Sequence, residues 1–119
     1  IAKPGLSIGM GYDKLPDYVK KSDVYTANDL GKIAMQLELP PLEEVKTRIE
    51  QIELLDAEPE MFDRHARLGD YEMMLRIALS LHKKGDSRKI FFERAAKLAL
   101  DFDDIEFALD VVVYSGNEF

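Results

Sequence analysis

The densest group of side chains that could do chemistry is acidic and consists of Asp101, Asp103, Asp104 and Glu106. Paired carboxylates can act as general acid and base, and carboxylate oxygens can bind calcium or another metal ion. A calcium loop starting at Asp101 would need glycine at its sixth position and glutamate at its twelfth, where this chain has Glu106 and Val112. The group is therefore more typical of acidic residues at the start of a helix, where the backbone carries a positive partial charge. A small carboxylate- or metal-dependent hydrolase is the alternative.

The other chemically versatile residues lack the spacing that their chemistry requires. His65 and His82 stand 17 positions apart without a His-Glu-x-x-His pattern, and the chain has no cysteine. Gly9-Met10-Gly11 has Lys14 where a dinucleotide-binding loop would have its third glycine. The serines lack the strand-turn-helix context of a nucleophile. We therefore predict no catalytic residue, no metal site and no cofactor.

The composition describes one acidic domain. The 119 residues are 46% hydrophobic, and 16 basic against 23 acidic residues give a net charge of −7. This charge repels phosphate backbones, and in a DNA-binding helix-turn-helix Glu43 and Glu44 would face them, so a helical nucleic-acid-binding module is only an alternative. No apolar run approaches the roughly 18 residues of a membrane span. We expect no nucleic acid partner, no membrane insertion and an intracellular location, cytoplasmic or in an organelle matrix.

The first half of the chain predicts an irregular arm followed by two helices. Residues 1–25 are rich in glycine and proline, and Pro16 is placed to open a single helical turn. Thr26 and Asp29 have the spacing of a capping box. The apolar stripe of the first helix then consists of Leu30, Ile33, Ala34 and Leu37. After Pro40-Pro41, a second stripe consists of Leu42, Val45, Ile49, Ile52 and Leu55.

The second half predicts four more helices separated by caps. The first runs from about Glu60 to Leu68 and stops at Gly69, after which Asp70 caps the next helix. That helix ends at Gly85, and Asp86 or Ser87 opens another. The last begins near Asp103-Asp104 and is closed by Gly116-Asn117. Its Val111–Tyr114 run could instead form a strand, but no second strand is predicted to pair with it.

These elements predict an all-α fold of five to six short antiparallel helices in an array of helical hairpins. The irregular arm covers residues 1–25 and the helical domain covers residues 26–119. Superposing Asp70–Asp86 on Asp101–Asn117, at an offset of 31, aligns Gly85 with Gly116 and suggests a repeat of hairpins.

Through Ala66–Tyr71 and Ala95–Phe102 the chain resembles tetratricopeptide-like and related α-hairpin repeat proteins, over about half of its length. The family period is about 34 residues, and its tryptophan and closing proline are absent here. The resemblance implies a scaffold or adaptor that binds other proteins. A shorter string, Arg67–Tyr71 followed by Leu75–Ile77, is similar to the helical subunit Va of mitochondrial cytochrome c oxidase. That similarity implies an accessory subunit of a larger complex.

The charge distribution indicates where another protein would bind. Residues 61–100 carry nine basic and five acidic side chains, whereas the chain as a whole is acidic. We predict that this basic block steers an acidic protein partner. Its steering residues are Arg64, Arg67, Arg76, Lys83, Lys84, Arg88 and Lys89. Adjacent apolar residues split across two helix faces, so Met73 and Phe92 are candidates for an additional apolar contact if they face outward. The alternative is that helices packed on both sides of this hairpin bury both faces.

Overall fold

The structure is a computed structural model that describes residues 13–36 and 38–119. The Gly9–Gly11 motif and the predicted core residue Leu37 lie outside the described residues. Within those ranges the chain forms seven helices and no strand, which confirms the predicted all-α array. The helices are α1 (Asp17–Lys20), α2 (Ala27–Ala34), α3 (Leu42–Glu50), α4 (Pro59–Arg67), α5 (Tyr71–Lys83), α6 (Lys89–Asp101) and α7 (Ile105–Glu118).

The first two helices begin where their caps predict. α1 is the single turn that follows Pro16, and its Val19 is buried in the core. At the start of α2, the Thr26 hydroxyl accepts the Asp29 N–H at 3.2 Å, and the Asp29 carboxylate accepts the Thr26 N–H at 2.9 Å. The predicted capping box is therefore confirmed. The residues of its stripe that the structure describes are all buried: Leu30, Ile33 and Ala34.

Two hairpins, α4–α5 and α6–α7, share the same turn geometry. Gly69 and Asp103 each have a left-handed backbone, with φ of 75° and 61°. Asp70 and Asp104 follow them and cap α5 and α7 by accepting a backbone N–H. The corresponding residues are 34 positions apart, so the predicted offset of 31 is wrong. That offset aligned Asp70 with Asp101, which ends α6 and caps nothing.

The start of α6 differs from the prediction. The helix begins at Lys89, not at Asp86 or Ser87. Both of the expected capping side chains are engaged elsewhere. The Asp86 carboxylate accepts a hydrogen bond from Arg88 at 3.0 Å, and the Ser87 hydroxyl lies 2.7 Å from the His82 Nδ1.

The end of α7 also differs from the prediction, because Gly116 does not stop the helix. α7 continues to Glu118, and Gly116 lies inside its last turn against the Tyr18 ring of α1. A Cβ at this position would overlap the ring, coming within 2.6 Å of its Cζ. The glycine therefore permits the close packing of α1 on α7.

The core lies between the hairpins and is rich in aromatic rings. Phe62 of α4 is fully buried and stacks on Phe91 of α6, with ring centroids 3.9 Å apart. Phe92 packs against Tyr114 of α7, with centroids 5.7 Å apart. These contacts join α6 to α4 and to α7.

Ion pairs connect the first helices to the second hairpin. The Lys32 ammonium of α2 donates to the Leu100 carbonyl at 2.7 Å and to the Asp103 carboxylate at 2.8 Å. The Arg48 guanidinium of α3 donates two hydrogen bonds to Asp110 of α7, both at 2.8 Å. A bidentate pair fixes both the distance and the orientation of the two helices.

Candidate docking surface

Three residues of the predicted basic block are bound by other groups of the chain. The Arg76 Nε donates to the Glu53 carbonyl at 2.6 Å, and its guanidinium also lies 3.7 Å from the Glu53 carboxylate. Lys84 donates to the Ala57 carbonyl at 2.5 Å. Arg88 pairs with Asp86, and this hydrogen bond raises the pKa of the guanidinium. These cations have local structural partners.

The other four steering residues have no carboxylate partner in the part of the chain that the structure describes. Arg64, Arg67, Lys83 and Lys89 lie more than 4.0 Å from every carboxylate of residues 13–36 and 38–119, as the ion pairs of those ranges show. All are exposed except Lys89, which is partly buried. Their charges are therefore available to a partner.

Arg64 and Arg67 share the outward side of α4 with an apolar residue. Residues three and four positions apart lie on one face of a helix, so Arg64, Arg67 and Leu68 form a continuous stripe. Leu68 is 74% exposed although it is large and apolar. We call this stripe, together with Phe102, the α4 face.

Phe102 joins the α4 face from the neighbouring hairpin. Its ring would lie 3.4 Å from a Cβ at Gly69, and its centroid is 5.9 Å from that of Tyr71. Phe102 is nevertheless 60% exposed. Leu68 and Phe102 occupy equivalent positions, each directly before a left-handed residue, and we call these two exposed apolar side chains the apolar pair.

The carboxylates near the α4 face have structural roles. Asp101 accepts from Lys97 at 2.9 Å, and Asp103 accepts from Lys32. Asp104 caps α7 and accepts the Tyr71 hydroxyl at 2.8 Å, a hydrogen bond that raises the pKa of the tyrosine. No described group of three His, Asp or Glu side chains, in residues 13–36 and 38–119, is placed to hold a metal ion.

The two apolar residues that were candidates for an outward contact do not form a surface patch. Phe92 is fully buried between His82 and Tyr114, so of the two alternatives the buried orientation is the one that the structure has. Met73 is partly buried and packs against the core. Rings of α4 and α7 pack on α6, so both Phe91 and Phe92 are buried.

The two histidines lie on different helices, His65 on α4 and His82 on α5. His82 Nδ1 lies 2.7 Å from the Ser87 hydroxyl, and His82 Nε2 lies 2.9 Å from the Glu118 carboxylate. The imidazole is surrounded by the rings of Phe92, Tyr114 and Phe119. It connects the end of α5 with the end of α7.

Comparison with known proteins leaves the function to be argued from this geometry. No family model matches the chain, and no curated protein and no solved structure is detectably similar to it. In the part of the chain that the structure describes, no helix is both long enough and apolar enough to cross a membrane.

Proposed function

We propose that this chain is a non-catalytic helical interaction domain, acting as a scaffold, an adaptor or an accessory subunit. Its α4 face binds an acidic segment of another protein. One observation carries the proposal: in a chain with seven more acidic than basic residues, Arg64 and Arg67 have no carboxylate partner among the described residues. Because acidic residues are in excess, we would expect each arginine to be paired with a carboxylate if it served to stabilise the fold.

The apolar pair supports the same surface. A stable protein contact usually centres on a few apolar or aromatic side chains, with charged residues at the rim. Leu68 and Phe102 supply such a centre, and Arg64 and Arg67 flank it. The partner segment therefore carries an apolar side chain next to its carboxylates.

The arrangement of the helices also supports an interaction domain. The turns of the two hairpins recur at 34 positions. This spacing equals the period of about 34 residues in tetratricopeptide-like repeats, which bind other proteins on the faces of stacked hairpins. Three carboxylates of the alternative hydrolase, Asp101, Asp103 and Asp104, are engaged in caps and ion pairs, and Glu106 has no described acidic or histidine group around it that could hold a metal ion.

A charge-reversal experiment tests the proposal. The full chain is purified from its native cells with its partner at native size, and the partner is then used to measure association rates by surface plasmon resonance. Arg64→Glu with Arg67→Glu should slow association several-fold at low salt and weaken its salt dependence. Lys14→Glu with Lys21→Glu makes the same change in net charge on exposed residues elsewhere and serves as the matched control.

The apolar contribution is tested separately. Phe102→Ser should speed dissociation while leaving the association rate near that of the parent, because buried contacts act mainly on dissociation. Circular dichroism should be unchanged in all variants, since the substituted side chains are exposed. Equal association rates for the Arg64/Arg67 variant and its control would refute the α4 face as the docking surface.

A further inference from the structure

A second surface, of opposite charge, is formed by other helices than those of the α4 face. A cleft of about 480 Å³ opens between α3, α7 and the segment that joins α2 to α3. This volume lies within the range of about 300–1,000 Å³ that is usual for ligand sites. We call it the α3–α7 cleft; its lining residues are Glu38, Leu39, Pro40, Pro41, Arg48, Glu106, Phe107, Leu109 and Asp110.

The floor and the rim of the cleft differ in chemistry. Leu39, Phe107 and Leu109 are apolar, and each is partly or fully buried. Glu38 and Glu106 are exposed, and neither lies within 4.0 Å of a cationic group in residues 13–36 and 38–119. A group that fills the cleft must therefore present both an apolar surface and a positive charge.

The single cation of the cleft cannot neutralise this rim. The Arg48 guanidinium already donates two hydrogen bonds to Asp110, and Glu44 lies 3.8 Å away on its other side. The hydrogen bond to Asp110 raises the pKa of Arg48, and the charges of Asp110, Glu44 and Glu106 add to this effect. The carboxylates of Glu38 and Glu106 leave the cleft with an excess of negative charge.

We propose that the α3–α7 cleft receives an arginine side chain presented by a segment of a partner protein. The methylene stem lies on Leu39 and Phe107, and the guanidinium pairs with Glu106 and Glu38. Arginine fits better than lysine because its planar group can pair with a carboxylate through two hydrogen bonds and stack on an aromatic ring. The domain then binds an acidic segment on the α4 face and a basic one in this cleft.

The test uses amide chemical shifts of the full chain and a capped Ala-Leu-Arg-Leu-Ala peptide. Titration should shift the amides of Leu39, Arg48 and Asp110. Glu106→Gln should weaken binding about tenfold, because it removes a charge-assisted hydrogen bond. Glu72→Gln is the matched control, since Glu72 occupies the same place in the first turn of α5, is exposed, and lies outside the cleft. Binding by this variant should equal that of the parent.

Further probes distinguish the occupants. The same peptide with citrulline in place of arginine should bind about tenfold more weakly, as it keeps the shape and loses the charge. Ethylguanidinium is tested at the same concentration as the peptide. If it shifts the same amides equally, the cleft is a site for small cations and the proposal is overturned. Shifts at these amides on diluting the chain alone would overturn it in favour of self-association. Unchanged peptide affinity in both Glu106→Gln and Glu38→Gln would also refute it.

Discussion

Ionisation of Tyr114 should lower the free energy of unfolding at alkaline pH, and one substitution should remove this effect. Tyr114 is 1% exposed on α7, and burial, reinforced by the charges of Glu118 and Glu50, raises its pKa from 10 to about 12. Tyr114→Phe keeps the ring in its place between His82 and Phe92 and removes the hydroxyl that titrates.

The sign and size of the effect follow from the two pKa values. The unfolded chain loses the Tyr114 proton near pH 10, whereas the folded chain keeps it until about pH 12. The unfolded state therefore binds fewer protons in this interval, and raising the pH favours it. The contribution of Tyr114 is complete below about pH 10 and decreases by about 1.4 kcal/mol by pH 11 and about 2.3 kcal/mol by pH 12.

Urea unfolding of the parent and of Tyr114→Phe, followed by circular dichroism at constant ionic strength, measures this difference. From about pH 7 to pH 9 the free energies of unfolding of the two proteins should differ by a constant amount. At pH 11 this difference should have changed by about 1.4 kcal/mol in favour of Tyr114→Phe. Lysines and the other tyrosines titrate in both proteins, so their effects cancel. If the two proteins lose stability in parallel up to pH 11, the assigned burial of the hydroxyl is wrong.

Three further predictions concern packing and capping, and thermal and urea denaturation tests them. Gly116→Ala should destabilise by about 1–3 kcal/mol, because its Cβ overlaps the Tyr18 ring, and Tyr18→Ala in the same chain should recover part of that loss; an unchanged melting temperature would contradict this contact. Phe62→Ala should cost about 3–5 kcal/mol, since it removes a fully buried ring, and a cost below about 1 kcal/mol would show that the site is not core. Asp104→Ala should cost about 2 kcal/mol through the lost cap and the lost hydrogen bond to Tyr71, while Asp104→Asn should retain most of the stability; equal losses in the two variants would refute the capping role.

The sequence predicted the elements that depend on short-range chemistry. The caps at Thr26, Asp70 and Asp104 require only residues within one helical turn, so their spacing is visible in the chain. Gly116 was misread because its reason is a ring from α1, about a hundred positions away. A glycine that ends a helix and one that admits a neighbour look the same in a single sequence.

The candidate site was predicted only in part, for a similar reason. Arg64 and Arg67 were recognised from charge, but their freedom from carboxylates depends on which acids the fold brings near them. For Phe92 the sequence left two orientations open, because two adjacent apolar residues cannot share one face and only the packing of other helices decides whether both faces are buried. Leu68 and Phe102 would have been found by aligning the hairpins at 34 positions.

The ion pairs of Lys32 and Arg48 suggest an order of assembly. They join residues 71 and 62 positions apart, whereas α4 to α7 each contact their neighbours in the chain. Closing long loops costs more entropy than pairing adjacent helices, and such contacts form late in folding. The two hairpins can therefore collapse first and act as a template on which α2 and α3 settle. The α3–α7 cleft exists only after that last step, while the α4 face is complete before it.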